Sequence, residues 1–286
     1  MNISLQPVFV RDLQKKRAVD LSGLTLTNDP VKSIKEADIV IDCMGGNSLE
    51  LTRELILSSL RDQRSVILSS KKCLAYYGQE FTRVAKQSGA DLLYDATVGG
   101  CIPIHSALEY MGRCEQIKRI SGICNATSNY ILEKMAKNVS YDDALKCAMA
   151  DGLAENDPTE DVDGWDAVYK SVILAGFGMG EWVDPQSIKP ESIREISEAD
   201  LRRASDKDQV IKPLFTVERQ DREIVFRVGP RPVFKDSILA TVSANHNIFI
   251  FDNSESGERS FVGQGAGARP TASAMFDDLI RLIIKE

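Results

Sequence analysis

The chain has 286 residues, 43% of them hydrophobic and 27% charged, with a net charge of -7. That balance fits a globular protein of one large or two ordinary domains and excludes a disordered chain. The negative charge, with no basic stripe interleaved with aromatics, excludes a general nucleic-acid binder. No apolar run reaches the roughly 18 residues of a membrane span, and "MNISLQPVFVRD" lacks the pattern of a signal peptide. Cysteines stand scattered at 43, 73, 101, 114, 124 and 147, none as C-x-x-C, beside only two histidines. A disulfide framework and a metal cluster are therefore poor readings, and a reduced, cytoplasmic protein is expected.

In chain order, "PVFVR" is a short β-rich run, and "DPVKSIKEA" opens a helix with Asp29 as N-cap and Pro30 at the first helical position. "DIVIDCMGG" reads as an apolar strand ending in two glycines. "SLELTRELILSSL" is an amphipathic helix, "SVILSS" a strand, "YGQEFTRVAKQSG" a helix closed by Gly89, and "DLLYDATVGG" a further strand. Apolar runs of about six residues between helices imply a parallel sheet covered on both faces. After Gly100 the pattern becomes α+β. A helix starts at Pro103, "IKRISGIC" is a strand, and "TSNYILEKMAKN", "SYDDALKCAMADG" and 164–178 are helical. "EIVFRVGPRPVF" is β-structure with proline-marked edges, "HNIFIFDNSESGERSFVGQG" a hairpin, and "TASAMFDDLIRLIIKE" a closing helix.

The segment "AENDPTEDVDGWDAVYK" sets six acids before one lysine, and ten uncharged residues follow it. A helix starting near Asp163 puts Asp166 and Lys170 four apart, on one face. Trp165, Ala167, Val168, Tyr169, Val172, Ile173, Leu174, Ala175 and Phe177 surround that helix with apolar side chains, which predicts its burial. A lysine desolvated there beside a carboxylate can move protons or orient a polar substrate. Glu155, Asp157 and Asp161 lead into the helix. Spacing alone leaves them either as partners of the helix dipole or as a seat for a ligand's ammonium.

This segment resembles homoserine dehydrogenase, whose hallmark A-E-x-D-P-T-x-D-V-x-G-x-D-A-x-x-K it matches at every fixed position. "VRD" at 10–12, "DLSG" at 20–23, "MGG" at 44–46, "KKCLA" at 71–75, "DATVGGCIPI" at 95–104, "GICNATSNYIL" at 122–132 and "GQGAGARPTASA" at 263–274 follow in the family's order. The resemblance implies an α/β fold: an incomplete Rossmann-like parallel-sheet domain over 1–100, an α+β catalytic and dimerisation domain over 101–265, and a C-terminal helix, 266–286, packing back on the first. It implies NAD(P)-dependent interconversion of L-homoserine and L-aspartate 4-semialdehyde, on the route to threonine, methionine and isoleucine, by a homodimer. By the same resemblance Lys170 and Lys71 act at the reacting oxygen. Glu155 binds the substrate amino group, Asp161 and Asp166 orient the substrate, and Thr127 contacts substrate or cofactor. Arg11, Gly45, Gly46 and Lys71 meet the cofactor, and Gly263, Gly265 and Ala266 lie beside the nicotinamide. A sodium ion would rest on carbonyls of Asp95, Val98, Gly100 and Ile102.

A dinucleotide-binding domain ordinarily opens with a strand and G-x-G-x-x-G, yet no glycine precedes Gly23. The expectation is that the first strand, glycine turn and helix are absent from this sequence, through an upstream start codon or a genuine truncation. "GQGAGA" at 263–268 fits G-x-G-x-x-A, but its place beside the nicotinamide is the better account. Arg11, with Lys15, Lys16 and Arg17 behind it, tilts the expected cofactor to NADP over NAD. Family-atypical residues at Ser70, Asp95, Cys101, Ala126, Ala268 and Arg269 keep two alternatives open: a catalytically impaired relative that binds a small ligand or a partner subunit, and a dehydrogenase of another amino aldehyde. A β-carbon at 126 would obstruct a left-handed turn.

Overall fold

The computed structural model describes residues 3–17, 19–45, 48–113, 115–221, 223–243 and 245–284. The first third alternates short strands and helices: β1 (Val8–Phe9), β2 (Leu26–Thr27), α1 (Pro30–Ile34), β3 (Ile39–Asp42), α2 (Leu49–Arg61), β4 (Ser65–Leu68), α3 (Lys71–Ser88) and β5 (Leu92–Leu93). Asp29 caps α1 as its sequence requires, accepting from the amides of Val31 and Lys32 at 3.0 and 3.1 Å. Gly89 ends α3 in the left-handed conformation. The strands are parallel but form two separate sheets, β1–β2 and β3–β4–β5, instead of the single sheet expected. A second correction falls on "DLLYDATVGG". Only Leu92–Leu93 is strand, and Asp95–Thr97 is one turn of 3₁₀ helix.

The remainder holds α4 (Ile104–Met111), β6 (Ile117–Ile123), α5 (Ala126–Met135), α6 (Tyr141–Ala150), α7 (Thr159–Val162), α8 (Trp165–Met179), α9 (Glu198–Ser205), β7 (Gln209–Gln220), β8 (Glu223–Phe234), α10 (Ile238–Thr241), β9 (His246–Asn253), β10 (Gly257–Gln264) and α11 (Ala268–Ile284). One antiparallel sheet in the order β10–β9–β6–β7–β8 backs α5 and α8. β7 carries Pro213 in its middle, a residue that argues against a strand. It is tolerated opposite Pro230 of β8, which itself lies at the sheet edge.

Helix α8 is buried without a break from Asp166 to Gly176, as its all-round apolar sequence requires. One core joins it to α2, α3, β4, β6, β7 and β9. The close approach of α3 to α8 depends on two glycines. A Cβ on Gly78 or Gly176 would lie 2.2 or 2.4 Å from the Trp182 ring, which the two helices hold between them. That contact sets the N-terminus of α3, with Lys71, across from the first turn of α8.

Candidate active site

Asp166 is the centre of the site. Its carboxylate is buried at the start of α8, where Gly164, at φ +83°, turns the chain out of α7. One oxygen accepts from Lys170 Nζ at 2.8 Å and from Asn125 Nδ2 at 2.9 Å. The other lies 2.5 Å from Lys71 Nζ. Lys170, one helical turn on, also donates to the carbonyl of Cys124 at 2.6 Å, at the end of β6. Its side chain is 10% exposed and that of Lys71 36%. Lys71 therefore stands at the mouth and Lys170 in the wall.

The electrostatics follow from this geometry. Burial alone would raise the Asp166 carboxyl, but the two ammoniums hold it well below the usual carboxylate range. Asp166 in turn pushes Lys71 upward against the opposing effect of burial, with Asp161 and Glu160 adding to it. Asp161 is raised by burial and by the charge of Asp166, and a hydrogen bond from Asn125 works against both. Asn125 Nδ2 donates to Asp161 at 2.6 Å as well as to Asp166 at 2.9 Å. The two acceptor oxygens are thus no more than about 5.5 Å apart, and unit charges at that spacing repel by about 3 kcal/mol at an effective dielectric of about 20. The Cys124 thiol is pushed up to about 12 by burial, which leaves it inert as a nucleophile.

The structure thus brings Lys71, Lys170, Asp161 and Asp166 together. Thr127, two residues past Asn125, is buried with its hydroxyl donating to the Leu153 carbonyl at 2.5 Å. Glu155 is not in the cluster. It is exposed on the loop that Thr127 fastens, two residues past Leu153. Sequence reasoning missed Asn125 and Asn247 as site residues. Asn247 Nδ2 donates at 3.2 Å to the same Cys124 carbonyl that Lys170 uses. Neither amide forms part of a charged pattern that a reader of the sequence would mark. Ala126 is the first residue of α5, in right-handed helix, so its β-carbon meets no left-handed turn.

On the cofactor side, Gly45 takes φ +73° just after β3, and Arg11 is exposed after β1. Gly46 lies outside the described residues. The carboxyl ends of β3 and β4, where α/β sheets bind nucleotides, meet at Asp42. Its carboxylate accepts from the Met44 amide at 3.0 Å and the Ser70 amide at 3.1 Å. Ser70 Oγ, directly before Lys71, is buried with no hydrogen-bond partner, which suits a polar cofactor group. Gly263 is the penultimate residue of β10, and Gly265 and Ala266 precede α11. Because β10 is an antiparallel edge strand, "GQGAGA" lacks the parallel strand of a dinucleotide fingerprint. The turn from Asp95 to Ile102 is partly committed. The Asp95 carboxylate accepts from Ser106 at 3.1 Å and faces Arg281, and the Ile102 carbonyl accepts from Ile104 at 2.7 Å. Of the four carbonyls expected to hold a sodium ion, that of Ile102 is the one already engaged, and no step is derived through that ion.

A parallel-strand α/β unit joined to an antiparallel sheet, with a buried carboxylate between two lysines, defines a two-part protein of the nucleotide-dependent oxidoreductase type. Residues 103–280 match the family model for homoserine dehydrogenase, and residues 1–95 match its NAD binding domain. The chain belongs to the homoserine dehydrogenase family. It is 34% identical over 284 residues to the homoserine dehydrogenase of Bacillus subtilis (strain 168), covering 98% of this chain and 65% of that protein. To that of Synechocystis it is 38% identical, covering 98% and 66%. Among solved structures, a homoserine dehydrogenase from Thiobacillus denitrificans superposes with a TM-score of 0.89 at 35% identity, over 95% of this chain and 63% of that one. A hyperthermophilic archaeal homoserine dehydrogenase in complex with NADPH gives 0.76 at 30% identity, over 90% and 76%. The chain therefore spans about two thirds of the length of the relatives it matches.

Proposed function

We propose that this protein interconverts L-homoserine and L-aspartate 4-semialdehyde with NAD(P), as a cytoplasmic homodimer on the route to threonine, methionine and isoleucine. The observation that carries the reading is the Lys71–Asp166–Lys170 cluster, a buried carboxylate between a buried lysine and a partly exposed one. A bound nicotinamide dinucleotide supplies or takes up the hydride. The chain's own residues manage the oxygen. Lys71, kept protonated by Asp166, offers fixed positive charge where an alkoxide develops. Lys170, anchored between Asp166 and the Cys124 carbonyl, moves the proton at that oxygen. Glu155, on the loop held by Thr127, takes the substrate ammonium. Ser70, Gly45, Gly265 and Ala266 face the cofactor, and the basic residues after β1 favour NADP. A catalytically impaired relative is not favoured, because every charged residue of the cluster is in place.

The test is steady-state oxidation of L-homoserine by the full protein with NADP and with NAD. Lys170→Ala lowers kcat by roughly two to four powers of ten and leaves the circular dichroism spectrum unchanged. Glu155→Ala acts mainly on KM, since its contact serves ground and transition states alike. A folded Lys170→Ala enzyme with wild-type turnover removes this lysine from the mechanism.

A further inference from the structure

The amide of Asn125 occupies a position that charge alone does not explain. Its Nδ2 is the neutral donor shared by two carboxylates, the half-buried Asp161 of α7 and the buried Asp166 of α8, at 2.6 and 2.9 Å. Its Oδ1 is committed elsewhere, accepting from the Ser128 amide at 2.8 Å as the N-cap of α5. The residue is 6% exposed. Because the cap fixes the oxygen, the amide cannot flip, and its nitrogen must point at the acids. Ser128 Oγ, donating to the Asp161 carbonyl at 2.8 Å, ties the same two elements a second time.

Asp166 has two ammoniums to hold it ionised, whereas Asp161 forms no ion pair among the described residues and leans first on Asn125, with a smaller pull from Lys71 and Lys170. The charged groups facing this amide are Asp161, Asp166 and, through Asp166, Lys71 and Lys170. Glu191, across the small void behind Asn125, is committed to Arg231 at 2.6 Å. Glu160 is paired with Lys72 at 2.6 Å. No other group on these elements stands ready to take over the role of the amide.

We infer that Asn125 is a positioning residue for the reaction, the fixed neutral donor that lets Asp161 and Asp166 stay ionised side by side and so holds Lys170 and the substrate-facing acid in register. The inference rests on the proposed dehydrogenase reading for its kinetic consequence but not for its physical one. Asn125→Asp separates the two jobs of the residue, because aspartate caps a helix as well as asparagine does but cannot donate when ionised.

The experiment compares the full wild-type chain with Asn125→Asp and Asn125→Ala by thermal unfolding across pH and by homoserine oxidation. In Asn125→Asp a third carboxylate enters the pair, so one acid of the group takes a proton in the folded state that it lacks in the unfolded state. By linkage the loss of stability then grows as pH rises. The deficit in Tm is at least about 3 °C larger at about pH 8 than at about pH 5. Asn125→Ala shows a constant deficit from the lost cap plus a smaller growing one. In kinetics, kcat/KM of Asn125→Asp at neutral pH falls about tenfold or more, with the acidic limb of its profile moved upward. A deficit that is flat with pH in Asn125→Ala, with Asn125→Asp as stable as wild type throughout, makes the residue a cap and nothing more and overturns the inference. Absent homoserine oxidation in wild type overturns the dehydrogenase reading instead. The unfolding comparison still decides the role of Asn125.

Discussion

Asp166 and Lys170 form a buried pair whose removal, one partner at a time, gives a measurable coupling. At an effective dielectric of about 20, unit charges at their separation attract by about 6 kcal/mol. Desolvating both ions opposes that gain, so the pair as a whole adds little over an apolar substitute. Breaking it is different. Asp166→Asn leaves Lys170, with a side chain 10% exposed, facing only the Cys124 carbonyl and a neutral amide. Lys170→Met leaves Asp166 with Lys71 and Asn125. Asp166→Asn should cost about 3–5 kcal/mol, the range for a stranded buried charge, and Lys170→Met less, since Asp166 keeps Lys71 as a partner. The share owed to Lys71 is smaller, because that side chain is 36% exposed and its charge is screened. The double variant strands neither of the pair and should cost well below the sum, with a coupling of about 2–4 kcal/mol. Urea denaturation at neutral pH is the assay. There the contribution of Asp166 is fully present, since its folded pKa lies below the unfolded value and the stability is lost only as pH falls through the folded one. Costs that add to within about 0.5 kcal/mol would show that the two charges do not depend on each other, and the account of the site would fail.

Two further outcomes follow from packing and protonation. Gly265→Ala places a Cβ 1.9 Å from Asn247 Nδ2, which is held by the Cys124 carbonyl. The variant should lose about 1–3 kcal/mol, and Asn247→Ala in the same chain should restore part of it; equal losses in calorimetry with and without Asn247 would refute the overlap. His105 is buried among Tyr94 and Phe177, and burial lowers its pKa to about 3 from 6.5. The unfolded chain therefore binds the proton first as pH falls. Stability from this site is whole above about pH 6.5 and declines towards pH 3. His105→Phe, which keeps a ring but cannot titrate, should flatten that part of the Tm profile, and an unchanged slope would acquit the histidine.

The sequence by itself determined the elements whose cause is local. Asp29 and Pro30 start α1, Gly89 stops α3, and the unbroken apolar surround of 165–177 buries α8 and puts Asp166 and Lys170 on one face. Those features depend on neighbours a few residues apart, which spacing displays directly. The hallmark segment also carried the family. Long-range geometry was decided elsewhere. Lys71 meets Asp166 because Gly78 and Gly176 admit the Trp182 ring between two helices, and no periodicity records that approach. β7 forms in spite of Pro213 because β8 sets Pro230 opposite it at the sheet edge. "DLLYDATVGG" yields its strand after two residues, because Gly99 and Gly100 at positive φ and the 3₁₀ turn at Asp95–Thr97 bend the chain away from the sheet. Asn125 and Asn247 were invisible as site residues. A neutral amide gains its role only from the partners that surround it, and those partners come from α7, α8, the end of β6 and β9, segments that only the folded chain brings to one place.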